Sequence, residues 1–447
     1  MNAVVVAVLV MIVLSLSRIH VVFALLAGAV AGGITAGFSV TETINVFTEG
    51  LGTNVSLALS YGLLGAFAIS LNFTGLPDLM VRGAVKIVGR QGEDRKRSLT
   101  KVLILFLIAG VASLSQNLVP VHIAFIPVLI PPLLKVFNEL FMDRRATATA
   151  LTFGLKAPYI LIPAGYGAIF HDTISDNMEA SGLAIDPDLI PAALAIPVAG
   201  MLVGLLWAFL VSYRKPRTYE NRDLAVSEPE TERPVSKWGI ITALIAIITV
   251  LTAQVLSDSM IFGVLTGLAI LYVYFIVLHF KGIFTLQETD VLLTDGMKML
   301  AFIGFVMIAA GGFAEVIRET GHVDSLVGWA SEWIDGRQGI AAFVMLIIGL
   351  FITMGIGSSF ATVPILAAIF VPLALSLGFS PMATIALIGT AGALGDAGSP
   401  ASDSTLGPTA GLNADGQHNH IWDTVVPTFL HFNLPLIAFG WIAAMIL

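Results

Sequence analysis

Apolar runs of membrane-crossing length recur from one end of this 447-residue chain to the other, separated by short polar turns. A hydrocarbon core about 30 Å thick takes roughly 20 apolar helical residues, and each backbone polar group in it must be satisfied within the segment, so runs of this kind read as helices. We place spans near residues 3–16, 20–38, 55–75, 102–118, 120–137, 146–170, 189–212, 239–256, 259–280, 297–316, 339–356, 360–378, 382–395 and 424–447. Composition agrees, since 57% of residues are hydrophobic and 12% charged, with mean hydropathy +0.92, outside the range of soluble domains. A formal charge of -8 argues against a nucleic-acid partner, and the lack of cysteine excludes disulfide, iron–sulfur and thiol chemistry. The opening MNAVVVAVLV has neither a basic n-region nor a small-residue cleavage site and reads as the first span rather than a signal peptide.

The stretch from Arg214 to Lys237 is the one long segment without apolar periodicity, and it divides the chain into halves at residues 1–213 and 238–447. FTEG at Phe47–Gly50 matches LTDG at Leu293–Gly296, and TGLPDL at Thr74–Leu79 matches TGHVDS at Thr320–Ser325, both displaced by 246 residues. FALLAG at Phe23–Gly28 likewise matches FGVLTG at Phe262–Gly267, so the matches fall in one order, as an internal duplication requires. The loop holding Arg82, Lys86, Arg90, Arg95, Lys96, Arg97 and Lys101 is cytoplasmic by the positive-inside rule, whereas its counterpart around Asp324, Glu332 and Asp335 is poor in Lys and Arg. Opposite orientation of equivalent loops predicts two inverted-topology repeats in an all-α polytopic membrane protein, a common plan of secondary transporters. Each repeat is expected to hold scaffold spans (3–75 and 239–316), a re-entrant hairpin with a broken helix (101–177 and 339–405), and a last span (189–212 and 424–447). Both termini then face the extracytoplasmic side of a bacterial inner membrane.

Polar residues concentrate at matching places in the two halves. GDAGSPASDST supplies Asp396, Ser399, Ser402, Asp403, Ser404 and Thr405, and GYGAIFHDTISDN supplies Asp172, Thr173, Ser175, Asp176 and Asn177. Each follows an apolar segment interrupted by Gly and Pro, with Pro163 and Pro400 opposing continuous helix. Corresponding interrupted segments in two halves are the best sequence pointer to a transporter site, because unwinding frees carbonyls for cations and exposes helix ends. A charged aspartate at the bilayer centre costs about 2.5–3.5 kcal/mol on insertion scales and needs a partner or a wet cavity. Preceding each run is a small-polar tip between apolar segments: Ser115, Gln116 and Asn117 in the first half, and Gly357, Ser358, Ser359 and Thr362 in the second. Backbone at membrane depth is tolerated where it lines a cavity, so these tips are candidate substrate contacts.

GDAGSPASDST is similar to the GD…SP.SDTT signature of the NhaC-type Na+/H+ antiporter family of the ion transporter superfamily, which also holds organic-acid exchangers and amino-acid permeases. The second half resembles the family along most of its length and the first half more loosely, through HDTISDN. Two departures stand out: Ser404 replaces a usual threonine, and His171 replaces a glycine. The resemblance implies inverted repeats with re-entrant hairpins and broken helices, and a homodimer in the lipid bilayer. Na+ or H+ would be the coupling ions, with no other cofactor. The implied activity is Na+/H+ antiport by alternating access, with Na+- or H+-coupled transport of an amino acid, such as histidine, or of a small organic acid as the alternative. A carboxylate that holds either a proton or sodium couples the two, and Asp396 is the leading candidate.

Several residues also have structural readings. Asp172 and Asp176 fit a solvated loop as well as a site, and Asp403 suits a helix N-cap. Lys156, near Arg144 and Arg145, reads as a lysine snorkelling to the interface. His122 is as consistent with helix packing as with proton relay. His418 and His420, spaced like metal ligands, read as a loop because no third ligand is evident, and AGAVAGG at Ala27–Gly33 reads as close helix packing. An embedded enzyme is disfavoured, since no zinc pattern, G-x-S-x-G elbow or basic phosphate cluster occurs at membrane depth.

Overall fold

The computed structural model describes residues 2–17, 19–76, 79, 97–117, 126, 129–220, 236–257, 259–323, 325–326, 328–329, 337–400 and 402–447. The whole Arg82–Lys96 stretch, Pro120, His122, the core of the linker at 221–235, Asp324, Glu332 and Asp335 lie outside these residues. The described residues are helical with no strand. In order they are α1 (Ala3–Leu16), α2 (Val21–Ala36), α3 (Val40–Gly50), α4 (Val55–Asn72), α5 (Arg97–Asn117), α6 (Pro131–Glu139), α7 (Arg144–Leu161) and α8 (Tyr166–Ala180). α9 (Leu189–Ser212) ends the first half. The second half holds α10 (Lys237–Ser257), α11 (Met260–Phe280), α12 (Leu286–Glu319), α13 (Gln338–Ile356), α14 (Ser359–Ser376), α15 (Pro381–Ala393) and α16 (Asp403–Leu412). α17 (His420–Ile446) closes the chain and contains π turns at His420–Val425 and Phe429–Asn433. Six described helices are long and apolar enough to cross a membrane: α9, α13, α14, α17, α11 and, over Lys237–Gln254, α10.

Two differences from the expected spans have local causes. α3 is an additional helix, started by a capping box in which the Ser39 side chain accepts from the Glu42 N–H and Glu42 reaches back to the Ser39 N–H. Its 11 residues, VTETINVFTEG, are too few and too polar to cross a membrane, and it buries Thr43, Phe47 and Gly50. α12 is 34 residues long, well beyond the apolar stretch 297–316, because a Thr285–Glu288 capping box extends it into polar sequence.

α12 is the spine of a scaffold. It packs on α2, α3 and α4, while α11 packs on α4 and on α10. Small residues permit this: a Cβ on Gly296 would lie 2.5 Å from the Ala66 Cα, so only glycine lets the two backbones meet. The other elements form the group that carries the site. α5 packs on α7, with Gly154 against the Ala109 carbonyl, and α13 and α14 form a hairpin closed by Gly357 in the left-handed conformation at φ 76°. α7 and α15 each stop short at a break, and α8 and α16 resume beyond it.

Candidate functional site

In the second half, α15 ends at Ala393, and residues 394–400 run as an irregular loop around a single 3-10 turn, Asp396–Gly398. Gly395 sits at φ 79°, and its N–H donates to Asn433 Oδ1 at 2.9 Å, a cap that the sequence did not suggest. The loop turns the buried Asp396 side chain toward the start of α14. Asp396 Oδ2 accepts from Lys156 Nζ at 2.7 Å, from the Ser359 N–H at 3.0 Å and from the Ser359 hydroxyl at 2.5 Å, while Oδ1 accepts from the Ser402 hydroxyl. Ser359 lies in the first turn of α14, whose free N–H groups and dipole favour an anion. Because the one Ser359 hydroxyl proton goes to Asp396, the Tyr159 hydroxyl donates to Ser359 Oγ at 2.8 Å. The Lys156 ammonium also lies over the Tyr159 ring, 5.4 Å from its centroid. Tyr166, Phe170 and Phe360 stack around that ring and seal the site against the hairpin tip.

Lys156 is therefore no snorkelling lysine. It is buried and pairs with both Asp396 and, at 3.3 Å, Asp403, whose side chain keeps 26% of its surface open. The signal was present in the sequence: Lys156 is twelve residues from Arg144, about 18 Å of helix, too deep for its stem to reach the interface. Asp403 is not the N-cap either. Ser402 is, with its hydroxyl accepting from the Ser404 N–H, and Asp403 is the first residue of α16.

The remaining motif hydroxyls shape the loop. Ser404 donates to the Asp396 carbonyl at 3.0 Å, Thr405 to the Ser399 carbonyl at 2.6 Å, and Ser399 to the Met354 carbonyl at 3.3 Å. Serine at 404 thus keeps the one group its neighbours use. In the hairpin tip, Thr362 donates to the Ser358 carbonyl at 2.7 Å, and Ser358 is the N-cap residue of α14 without a side-chain cap bond.

The first half is built differently. The break falls at residues 162–165, where Pro163 stops α7 and Gly165 takes φ 59°, so the polar run itself is helical within α8. His171 occupies the position where the family has glycine, and its Nε2 meets the freed Ile160 carbonyl at 2.9 Å. Asp172 and Asp176 lie on the exposed face of α8, not with the buried Asp396, and they are helical rather than in a loop. Ser175 is half-buried, and Thr173 donates to the Ile169 carbonyl at 2.6 Å. Asn177 is buried and donates to the Thr173 carbonyl at 2.8 Å and to Asn54 Oδ1 at 3.4 Å. In the tip, Ser115 donates to the Ala112 carbonyl at 2.8 Å, while Gln116 Oε1 and Asn117 Oδ1 are buried with no hydrogen-bond partner among the described residues. His418 lies in the loop expected of it, whereas His420 begins α17; they engage Thr424 and Thr409, at 2.7 and 2.8 Å.

A helical bundle with a hairpin tip, two broken helices and a buried lysine–carboxylate cluster is that of a secondary transporter. Residues 150–441 match the Na+/H+ antiporter family and residues 2–88 a second Na+-H+ antiporter family model. The chain belongs to the Na+/H+ antiporter family. It is 56% identical over the full length of both chains to a Bacillus subtilis (strain 168) protein named "Putative amino acid transporter YuiF", and 51% identical, again at full coverage, to the Vibrio parahaemolyticus membrane protein VP2115. Among solved structures, Neisseria gonorrhoeae MtrF, described as one of a class of antimetabolite efflux pumps, superposes with TM-score 0.59 at 15% identity, covering 90% of this chain and 84% of MtrF. The Alcanivorax borkumensis YdaH transporter superposes with TM-score 0.58 at 16% identity, covering 91% of this chain and 89% of YdaH. These two likenesses concern the fold.

Proposed function

We propose that Asp403, Asp396 and Lys156 form the coupling site of a cation-coupled transporter, and that Asp403 rather than Asp396 is the exchanging carboxylate. The observation that carries this is one ammonium shared by two carboxylates. Ionised together they leave one negative charge at membrane depth, which a single monovalent cation neutralises. A cation at Asp396 must displace a lysine, two serine hydroxyls and a backbone N–H, whereas Asp403, which Lys156 and the Ser402 hydroxyl approach only at 3.3 Å, keeps 26% of its side-chain surface open. Na+ and H+ competing for Asp403 produce antiport, and no other cofactor and no covalent chemistry is required.

A second reading adds an amino-acid cargo to the same site. It is supported by the name of the 56% identical relative and by the buried oxygens of Gln116 and Asn117, which have no hydrogen-bond partner among the described residues and suit the N–H donors of a bound solute. Our reading places Lys101, Phe141, Arg144, Arg145 and Arg217 on the cytoplasmic side of a bacterial inner membrane. Lys101 Nζ and the Arg217 N–H both donate to the Phe141 carbonyl at 3.3 Å, which gathers Lys and Arg at one end of the molecule, and it is Lys and Arg that the positive-inside rule counts. Both termini then face the extracytoplasmic side, the halves (1–213 and 238–447, joined by 214–237) are inverted repeats, and the unit is a homodimer. Thermal-shift titration of the purified protein with Na+, Li+ and K+, with and without amino acids, tests the reading. Stabilisation by Na+ that weakens with acid and is lost in Asp403→Asn supports it, and Na+ stabilisation undiminished in that variant refutes it.

A further inference from the structure

α7 and α16 belong to opposite halves of the chain, run antiparallel, and are pinned by polar contacts at three levels. At one end the wholly buried Arg144 guanidinium grips Asp415 with two hydrogen bonds, 2.7 Å to Oδ1 and 2.6 Å to Oδ2, and donates to the Leu412 carbonyl in the last turn of α16 at 2.9 Å. Eight residues further along α7, Thr152 Oγ1 donates at 2.8 Å to the carbonyl of Ser404, eight residues back along α16 from Leu412. Eight residues are about 12 Å on each helix, so the two contacts hold antiparallel neighbours in one register. One turn beyond, Lys156 meets Asp403. The guanidinium is held in place by Asn138 Oδ1, which accepts at 3.1 Å, and by the Tyr219 ring, whose centroid lies 4.2 Å from Cζ.

We propose that Arg144 is a positioning residue for the coupling site: its grip on Asp415 and Leu412 sets the α7–α16 register on which the Lys156–Asp403 contact depends. This rests on the reading of Asp403 as the coupling carboxylate. A slip of one residue moves Lys156 by about 1.5 Å along the axis, and a slip of one turn by about 5.4 Å. Stability alone does not account for the pair, because buried ion pairs replaced by apolar residues of similar volume are often neutral or stabilising. Geometry does account for it. A planar fork that satisfies both carboxylate oxygens and a helix-terminal carbonyl fixes two helices along and across their axes, which a lysine point charge cannot do.

The test is Na+ titration of thermal stability in the full-length protein. Arg144→Lys and Asp415→Asn are expected to lower the melting temperature and, in the monodisperse protein recovered, to raise the half-saturating Na+ concentration by about ten-fold or more, the scale of loss that small misplacements bring. The double variant Arg144→Met with Asp415→Leu removes both charges, so it regains the melting temperature of the parent but not its Na+ affinity, an outcome a purely stabilising pair does not give. Unchanged Na+ affinity in folded single variants, or recovery of affinity and melting temperature together in the double variant, overturns the proposal. Asp403→Asn, run in parallel, separates the two layers. A Na+ response lost there but intact in the Arg144 variants overturns the positioning role alone, whereas a response retained there overturns the coupling site and the positioning role with it.

Discussion

Asp396 and Asp403 share Lys156, yet the same substitution in each has different expected results. Asp396→Asn takes an anion from the buried ammonium and from the first turn of α14, and breaking a buried pair in this way costs about 3–5 kcal/mol. We expect a large fall in melting temperature and in the yield of monodisperse protein. Asp403→Asn, at the partly open carboxylate, is expected to fold with a melting temperature near the parent and to lose stabilisation by Na+. Equal destabilisation of both variants would show that Asp403 is as structural as Asp396. Ser402 joins two functions, capping α16 and donating to Asp396, so Ser402→Ala is expected to cost about 1–2 kcal/mol in thermal or denaturant unfolding. The sequence displayed these carboxylates and hydroxyls, since polar groups in an apolar chain stand out. It did not display their partners: Lys156 and Tyr159 are more than two hundred residues from Asp396, and only the packing of α7 beside α16 brings them together.

Each broken helix turns on one glycine at positive φ. A Cβ on Gly165 would come within 2.0 Å of the Asn117 carbonyl oxygen, and one on Gly395 within 2.6 Å of the Met354 nitrogen. Alanine at either position meets both a disfavoured conformation and backbone that cannot yield. Gly165→Ala and Gly395→Ala are therefore expected to abolish monodisperse protein on size exclusion, whereas Gly182→Ala, at φ 96° but with open space around it, is expected to cost far less. Between α16 and α17, burial pushes His418 down to about 4, against the opposing attraction of Asp423. Asp415 is held below the usual carboxylate range because Arg144 outweighs the effect of burial. The folded loop thus refuses a proton that the unfolded chain takes near 6.5, so stability is present above that pH and declines as pH falls toward about 4. His418→Gln is expected to flatten that part of the melting-temperature profile, and an unchanged slope would assign it to other groups.

At the scale of the whole molecule, the absence of cysteine makes topology directly measurable, since single cysteines can be introduced without removing any. A cysteine at Lys281 is expected to react only from the cytoplasmic side and one at Glu42 only from outside; the reverse pattern would invert the proposed orientation. Most helix positions were legible in the sequence, because apolar length, Gly and Pro punctuation and capping residues are local properties that act wherever the chain lies. Pro163 marked one break for the same reason. Membrane residence and family membership were likewise readable, the first from hydropathy and the second from the short run Gly395–Thr405. What the tertiary structure alone decided is which charges meet. It buried Lys156 against Asp396 and Asp403 and locked Arg144 onto Asp415, yet it set Asp172 and Asp176 on an exposed helix face although their motif resembles the other. Pairing of this kind depends on helix register and on which face each helix turns inward, and both follow from packing between residues hundreds of positions apart.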